Sequence, residues 1–291
     1  MRSRQERSGG PETQRSQARV GARRTASYDD AVMFEREEGA ATGTGATRPR
    51  LDGLRCVVTG AARGIGAEIA RTFAREGAVI GLLDVAADVE EMAGGLTASV
   101  AIADLADPDA TRTAMAELIA GLGGIDVLVN NAGILRITPL LEISVEEWDL
   151  LFDVNVRSML VTTQVAAQAM IAAGRGGRIV NMASMGAKRA GARQAAYAAS
   201  KAAVVSQTQA SAIELGPHAI TVNAICPGYV LTEMGAATRT PEMVEAWSAT
   251  SPLGRCAEPA DVAKMALFLA SADAAYCTGQ AFNVTGGMVM H

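Results

Sequence analysis

Histidine is nearly absent from this chain of 291 residues, which holds only His218 and His291. A three-histidine metal site is therefore excluded, and a Ser-His-Asp triad would have to recruit one of those two. The four cysteines (Cys56, Cys226, Cys256 and Cys277) lie far apart and include no C-x-x-C pair. That spacing suggests neither a zinc knuckle nor a disulfide framework, and no metal is expected. Aromatic residues make up 4% of a chain that is 49% hydrophobic, so aliphatic side chains and alanine must fill the core. No run approaches the roughly 18 apolar residues needed to span a bilayer, and the N-terminus lacks the apolar region of a secretory signal. A basic excess is missing too, since 26 Lys and Arg face 31 Asp and Glu for a net charge of −5. A dedicated nucleic-acid binder usually carries a strongly basic face. A soluble cytoplasmic protein without nucleic-acid or membrane partners is the expectation.

Leu and Ile are missing from the first fifty residues, which carry ten Arg against seven acids, or +3. Residues 51–291 then hold the balance of −8 (16 bases minus 24 acids). Without large aliphatics such a segment cannot offset its own ordering entropy, so residues 1–50 read as a disordered Arg-rich extension. An organelle-targeting peptide, or a translation start at Met33, would account for the same composition. From Leu51 onward apolar strands alternate with helical patterns. The strand candidates are 56–59, 79–83, 99–102, 127–129, 178–182, 221–225 and 281–284. Helical patterns lie near 64–76, 109–121, 145–172, 195–215 and 259–271, with a weaker one near 87–93. Several strands are continuously apolar, as expected when helices cover both faces of a parallel sheet. The expected fold is α/β, a single doubly wound Rossmann domain spanning 51–291.

Thr59-Gly60-Ala61-Ala62-Arg63-Gly64-Ile65-Gly66 follows the first strand and opens the first helix. Glycines there allow a sharp turn and close approach of a pyrophosphate to free N–H groups at a helix N-terminus. The spacing is G-x-x-x-G-x-G rather than G-x-G-x-x-G, and such turns also arise for steric reasons alone. Asp84, 18 residues beyond Gly66 at the end of the second strand, could accept both adenosine ribose hydroxyls and repel a 2′-phosphate. NAD is thus favoured over NADP, although Arg63 could attract that phosphate. Tyr197 and Lys201 stand four apart in an Ala-rich helical segment and share a face. A neighbouring ammonium lowers a phenol's pKa from about 10 toward neutrality, where it can act as acid and base. Ser184, just past the strand ending at Met182, could hold a substrate oxygen. Tyr-x-x-x-Lys is common on helix surfaces, but this chain has only three lysines, Lys188, Lys201 and Lys264.

Taken with Asp104-Leu105, Asn130-Asn131-Ala132-Gly133, Asn155 and Pro227-Gly228 with Thr232, these motifs resemble the short-chain dehydrogenase/reductase family from about Leu51 to His291. The resemblance implies that Gly60, Arg63, Gly64, Ile65 and Gly66 line the pyrophosphate, and Asp84 the adenosine ribose. It implies that Asp104 and Leu105 meet the adenine, and that Asn130, Ala132 and Gly133 border the cofactor at the fourth strand. Tyr197 would be the acid/base, Ser184 would orient the substrate oxygen, and Lys201 would lower the Tyr197 pKa and hold the nicotinamide ribose. Asn155 would anchor a water linking Lys201 to solvent. Pro227, Gly228, Val230 and Thr232 would position the carboxamide. The resemblance also implies a homotetramer and a mobile lid over Leu231–Cys256.

Elsewhere, Ser144 reads as an N-cap with Glu147 completing a capping box, which makes Trp148 structural. Trp247 reads equally as substrate contact or lid packing, Cys226 as a core cysteine, and His291 as exposed or interfacial. The expected activity is NAD-dependent interconversion of a secondary alcohol and a ketone, with a polyol, sugar or hydroxy acid as substrate. Arg136, Lys188 and Arg189, among flanking residues that include Leu135, Met185 and Gln194, could receive a polar or anionic group. The alternatives are a 3-oxoacyl-thioester reductase using NADPH and a non-catalytic NAD-binding redox sensor.

Overall fold

The structure, a computed structural model, describes residues 49–291 apart from 97, 234, 235, 237 and 238. The expectations for the N-terminal extension through residue 48 lie outside the described residues. Arg50 already contacts the domain, donating its backbone N–H to Glu76 Oε2 (2.9 Å) and pairing with Asp273 (2.7 Å).

Short runs of Val, Ile and Leu form the strands, because branched side chains pack well on a pleated surface buried on both sides. They are β1 (Arg55–Thr59), β2 (Val79–Asp84), β3 (Ala98–Ile102), β4 (Val127–Asn130), β5 (Gly177–Met182), β6 (Ile220–Pro227) and β7 (Ala281–Val284). All pair in parallel in the order β3-β2-β1-β4-β5-β6-β7. The helices are α1 (Gly64–Arg75), α2 (Val89–Ala93), α3 (Pro108–Gly121), α4 (Val145–Phe152), α5 (Ser158–Ala173), α6 (Ala195–Leu215), α7 (Pro241–Ala249) and α8 (Pro259–Ala270). Ile69, Phe73, Val262 and Leu269 bury the α1 and α8 side of the sheet, and Met115, Leu118, Met170 and Ile179 the α3 and α5 side. Strand order reverses between β1 and β4, so the crevice above their carboxyl ends is where this topology binds ligands.

Strand ends shift from expectation by a residue or two, and two helical features differ in kind. The pattern expected as one helix over 145–172 is interrupted by a π turn, Asp153–Arg157, between α4 and α5. α7 lies inside the stretch expected only as a lid. Thr240 caps it by accepting from Met243 N (3.3 Å), with Pro241 in its first turn. Among the described residues no helix is long and apolar enough to cross a membrane.

Candidate active site

The β1–α1 turn is built by backbone conformation and close packing. Gly60 and Gly64 take φ of +63° and +59°, which L side chains rarely adopt. A Cβ on Gly60 would sit 2.7 Å from Ala132 Cα, and one on Gly66 would fall on the Gly60 carbonyl. α1 has Arg63 at its N-cap with no side-chain cap and no acid in its first turn. Asp107, Ser144 and Thr240, by contrast, cap α3, α4 and α7. The α1 N-terminus therefore presents unspent N–H groups and dipole to an anion, as a pyrophosphate requires. Asp84 is half-buried beside the turn, with Oδ2 accepting from Ala62 N (2.9 Å) and Oδ1 from Ala86 N (3.0 Å). Thr232 overhangs the turn, its Cγ2 lying 3.4 Å from where a Gly64 Cβ would stand.

The proton-handling groups converge at the ends of β4, β5 and β6. Tyr197 and Lys201 share one face of α6, with Lys201 Nζ 6.0 Å from the centre of the Tyr197 ring. Lys201 is buried, donates to Met182 O (2.9 Å), and is pulled by burial down to about 8. Tyr197 is raised above its ordinary value, chiefly by burial, while its hydrogen bond with the Ser184 hydroxyl pulls the other way. This corrects the expectation of a lowered phenol, because desolvation outweighs the bond with Ser184. Ser184 opens a short 3₁₀ turn, Met185–Ala187, and its Oγ accepts from Gly186 N (3.0 Å). Asn155 is buried in the π turn. It accepts from Ile134 N (2.8 Å) and donates to Ile134 O and Ser200 Oγ (both 3.0 Å). Ser200 in turn donates to Tyr197 O (2.7 Å), so the π turn and α6 are tied together. Gly133 explains itself here: a Cβ would lie 3.0 Å from Asn155 Oδ1 and 3.2 Å from Lys201 Nζ.

A family model described as Enoyl-(Acyl carrier protein) reductase matches residues 60–289. Sorbitol dehydrogenase of Cereibacter sphaeroides is 39% identical over 82% of this chain and 98% of its own. The chain belongs to the short-chain dehydrogenase/reductase family. It is an oxidoreductase of that family, and the Rossmann expectation holds. Galactitol 2-dehydrogenase (L-tagatose-forming) of the same organism is 43% identical, covering 82% of this chain and 96% of the relative. A candidate NAD(P)-dependent gluconate 5-dehydrogenase from Beutenbergia cavernae was solved with NADP at low occupancy. It superposes with a TM-score of 0.79 at 42% identity, over 83% of this chain and 99% of that one. Nicotinamide dinucleotides are the cofactor class of this family.

The remaining family positions divide by what their side chains touch. Arg63 is exposed at the turn, Ile65 is half-buried against the α1 side of the core, and Ala132 N donates to Thr59 Oγ1 (3.1 Å). Asp104 is exposed and accepts from Ala106 N (2.9 Å), whereas Leu105 is buried among Met115 and Leu118. Asn130 spends its side chain inside the core, on Asn181 Oδ1 (2.9 Å), Thr163 (3.1 Å) and Thr162 (2.6 Å). Pro227 ends β6, and Gly228 N donates to Val284 O (3.0 Å). That bond ties the strand end to β7, and a Cβ on Gly228 would lie 3.1 Å from Thr285 Cα. Val230 bridges to Ala257, and Arg239 holds the Thr232 carbonyl (3.0 Å). Sequence reasoning passed over Asn131, whose Nδ2 donates to Thr59 O (3.0 Å) and Gly60 O (2.9 Å) and so clamps the glycine turn to β4. Its place within Asn130-Asn131-Ala132-Gly133 was the available signal.

Three other sequence expectations meet the structure here. Ser144 Oγ accepts from Glu147 N (3.1 Å), and Trp148 stacks on Phe152 (4.9 Å). Trp247 stacks on Tyr229 (4.6 Å, 10° between planes), which favours the packing role over substrate contact. Cys226 is buried among Met159, Ala183 and Val204, and burial pushes its thiol up against the pull of Lys188 and Lys201.

Proposed function

We propose that this protein is an NAD-dependent dehydrogenase that interconverts a secondary alcohol of a polyol or sugar and the corresponding ketone. The observation that carries this reading is the convergence of Ser184, Tyr197, Lys201 and Asn155 beside an uncapped glycine turn. Bound nicotinamide would supply the hydride acceptor or donor. Gly60, Gly64, Gly66 and the α1 N-terminus would hold its pyrophosphate, and Lys201 and Thr232 its nicotinamide end. In the oxidative direction Tyr197 Oη takes the alcohol proton, and Ser184 Oγ holds the same oxygen. In the reductive direction both hydroxyls donate to that oxygen and stabilise the developing alkoxide. Lys201, charged below its lowered pKa of about 8, favours the phenolate. Asn155 holds Ile134 and, through Ser200, the first turn of α6, which keeps the Tyr197 hydroxyl in place.

Asp84 beside the turn supports NAD over NADP, since its charge would oppose a ribose 2′-phosphate. Neutral polyols or sugars are favoured over hydroxy acids because the nearby cations have other partners. Lys188 donates to Ala281 O (2.8 Å), Arg189 to Met288 O (3.3 Å) and Arg136 to Leu135 O (3.2 Å). The relatives named for sorbitol and galactitol point the same way. The four cysteines are free, which fits a reducing compartment such as the cytoplasm. Exposed Leu140, Leu141 and Val145, with Ile213 on α6, support a homotetramer that covers these apolar side chains.

Steady-state assays with NAD and with NADP, on polyols, hydroxy acids and 3-oxoacyl thioesters, test the reading. Turnover of polyols with NAD is expected, and Asp84→Ser should shift preference toward NADP. Reduction of 3-oxoacyl thioesters by NADPH alone would instead establish the thioester reductase. Binding of NAD without turnover of any substrate would favour a sensor.

A further inference from the structure

The two-glycine turn after β7 is built against three parts of the site. Gly286 and Gly287 take φ of +61° and +91°. A Cβ on Gly286 would fall on the Ser251 hydroxyl, and one on Gly287 would lie 2.7 Å from Pro252 Cγ. Ser251 Oγ donates to Gly286 O (2.9 Å), and Leu253 N donates to the same carbonyl (3.3 Å). The turn is closed by Thr285, whose Oγ1 donates to Val289 O (3.1 Å) and accepts from Val289 N (3.3 Å). On its other side Arg189, five residues beyond Ser184, donates to Met288 O (3.3 Å). Lys188 holds Ala281 O at the start of the same strand (2.8 Å). The Met288 Sδ itself lies 3.3 Å from where a Gly228 Cβ would stand, and the side chain is half-buried.

Met288 thus stands between Gly228, which its thioether adjoins, and the segment that carries Ser184, which holds its carbonyl through Arg189, while Gly286 and Gly287 before it dock on Ser251 and Pro252. We propose that Met288 is a specificity-determining residue: its thioether forms the wall between Gly228 and the Ser184 segment that limits the size of the bound alcohol. The inference rests on the dehydrogenase reading above and adds a substrate-selecting residue to it. An unbranched, polarizable thioether suits such a wall, since it fills an irregular gap without a fixed shape. The bonds from Arg189 and around Thr285 keep its backbone from yielding.

The test is a series of secondary alcohols of increasing length, assayed with NAD on wild type, Met288→Ala, Met288→Leu and Arg189→Gln. Met288→Ala should raise KM roughly tenfold for the alcohol preferred by the wild type and compress the selectivity between short and long members. NAD affinity, read by quenching of protein fluorescence, should stay within about twofold because the lost contact is to substrate. Met288→Leu should restore the wild-type ranking, and Arg189→Gln should shift it in the same sense as Met288→Ala, by less. A folded Met288→Ala with wild-type ranking and KM overturns the inference alone. If that variant does not fold, an unchanged ranking in Arg189→Gln overturns it. A wild type inactive on every alcohol overturns the dehydrogenase reading, and this inference with it.

Discussion

Lys201 is buried where water would otherwise stabilise its charge, and its bond to Met182 O only partly replaces that solvation. Its pKa falls from 10.5 to about 8. Below about pH 8 folded and unfolded chains both hold this proton, so the burial penalty is fully present. Between about 8 and 10.5 only the unfolded chain holds it, and stability from this group rises with pH. The difference corresponds to an effect on the order of 3 kcal/mol. Urea unfolding should therefore show Lys201→Met gaining most on wild type below pH 8, with the gap narrowing by that order toward pH 10. Parallel pH profiles for the two proteins would contradict the shift. The same residue shows why the Tyr197 pKa was misjudged in sequence: the i, i+4 spacing places an ammonium near the phenol, but it does not report how dry both groups are.

At the scale of elements, the glycine turn depends on a neighbour outside it. Asn131 supplies two hydrogen bonds to the backbone of Thr59 and Gly60. Asn131→Ala should lower stability by about 1–2 kcal/mol through unpaired carbonyls. It should also weaken NAD binding roughly tenfold, measurable by titration calorimetry. The turn itself was legible because its glycines, its preceding apolar strand and Asp84 lie within one local stretch. α7 was less legible because its local signal, Thr240 before Pro241, marks a helix start without fixing how far the helix runs. The π turn had no such signal. Asn155 sits in a pattern that continues smoothly from α4 to α5, and the extra residue is expressed only through its bonds to Ile134 and Ser200. Lys188 and Arg189 were also unreadable as partners of Ala281 and Met288, which lie about a hundred residues away.

For the whole molecule, alternating apolar strands and helices made the parallel sheet and its binding crevice foreseeable, since the central strands are continuously apolar and a helix starts within six residues of the end of each of β1, β2 and β3. The proposed homotetramer rests on side chains left uncovered: Leu141 is 98% exposed and Ile213 79% exposed. Leu141→Glu and Ile213→Glu should reduce the molar mass seen by sedimentation, because a buried unpaired carboxylate opposes association. An unchanged mass in both would remove these residues from the interface. The central claim, that Tyr197 moves a proton while an alcohol is oxidised with NAD, is tested most directly by following reduced-nicotinamide absorbance with a polyol panel for wild type and Tyr197→Phe. The account predicts NAD-dependent turnover by the wild type and a loss of about 10²–10⁴-fold in kcat for the variant, with NAD binding retained. Turnover by Tyr197→Phe at the wild-type rate would contradict it.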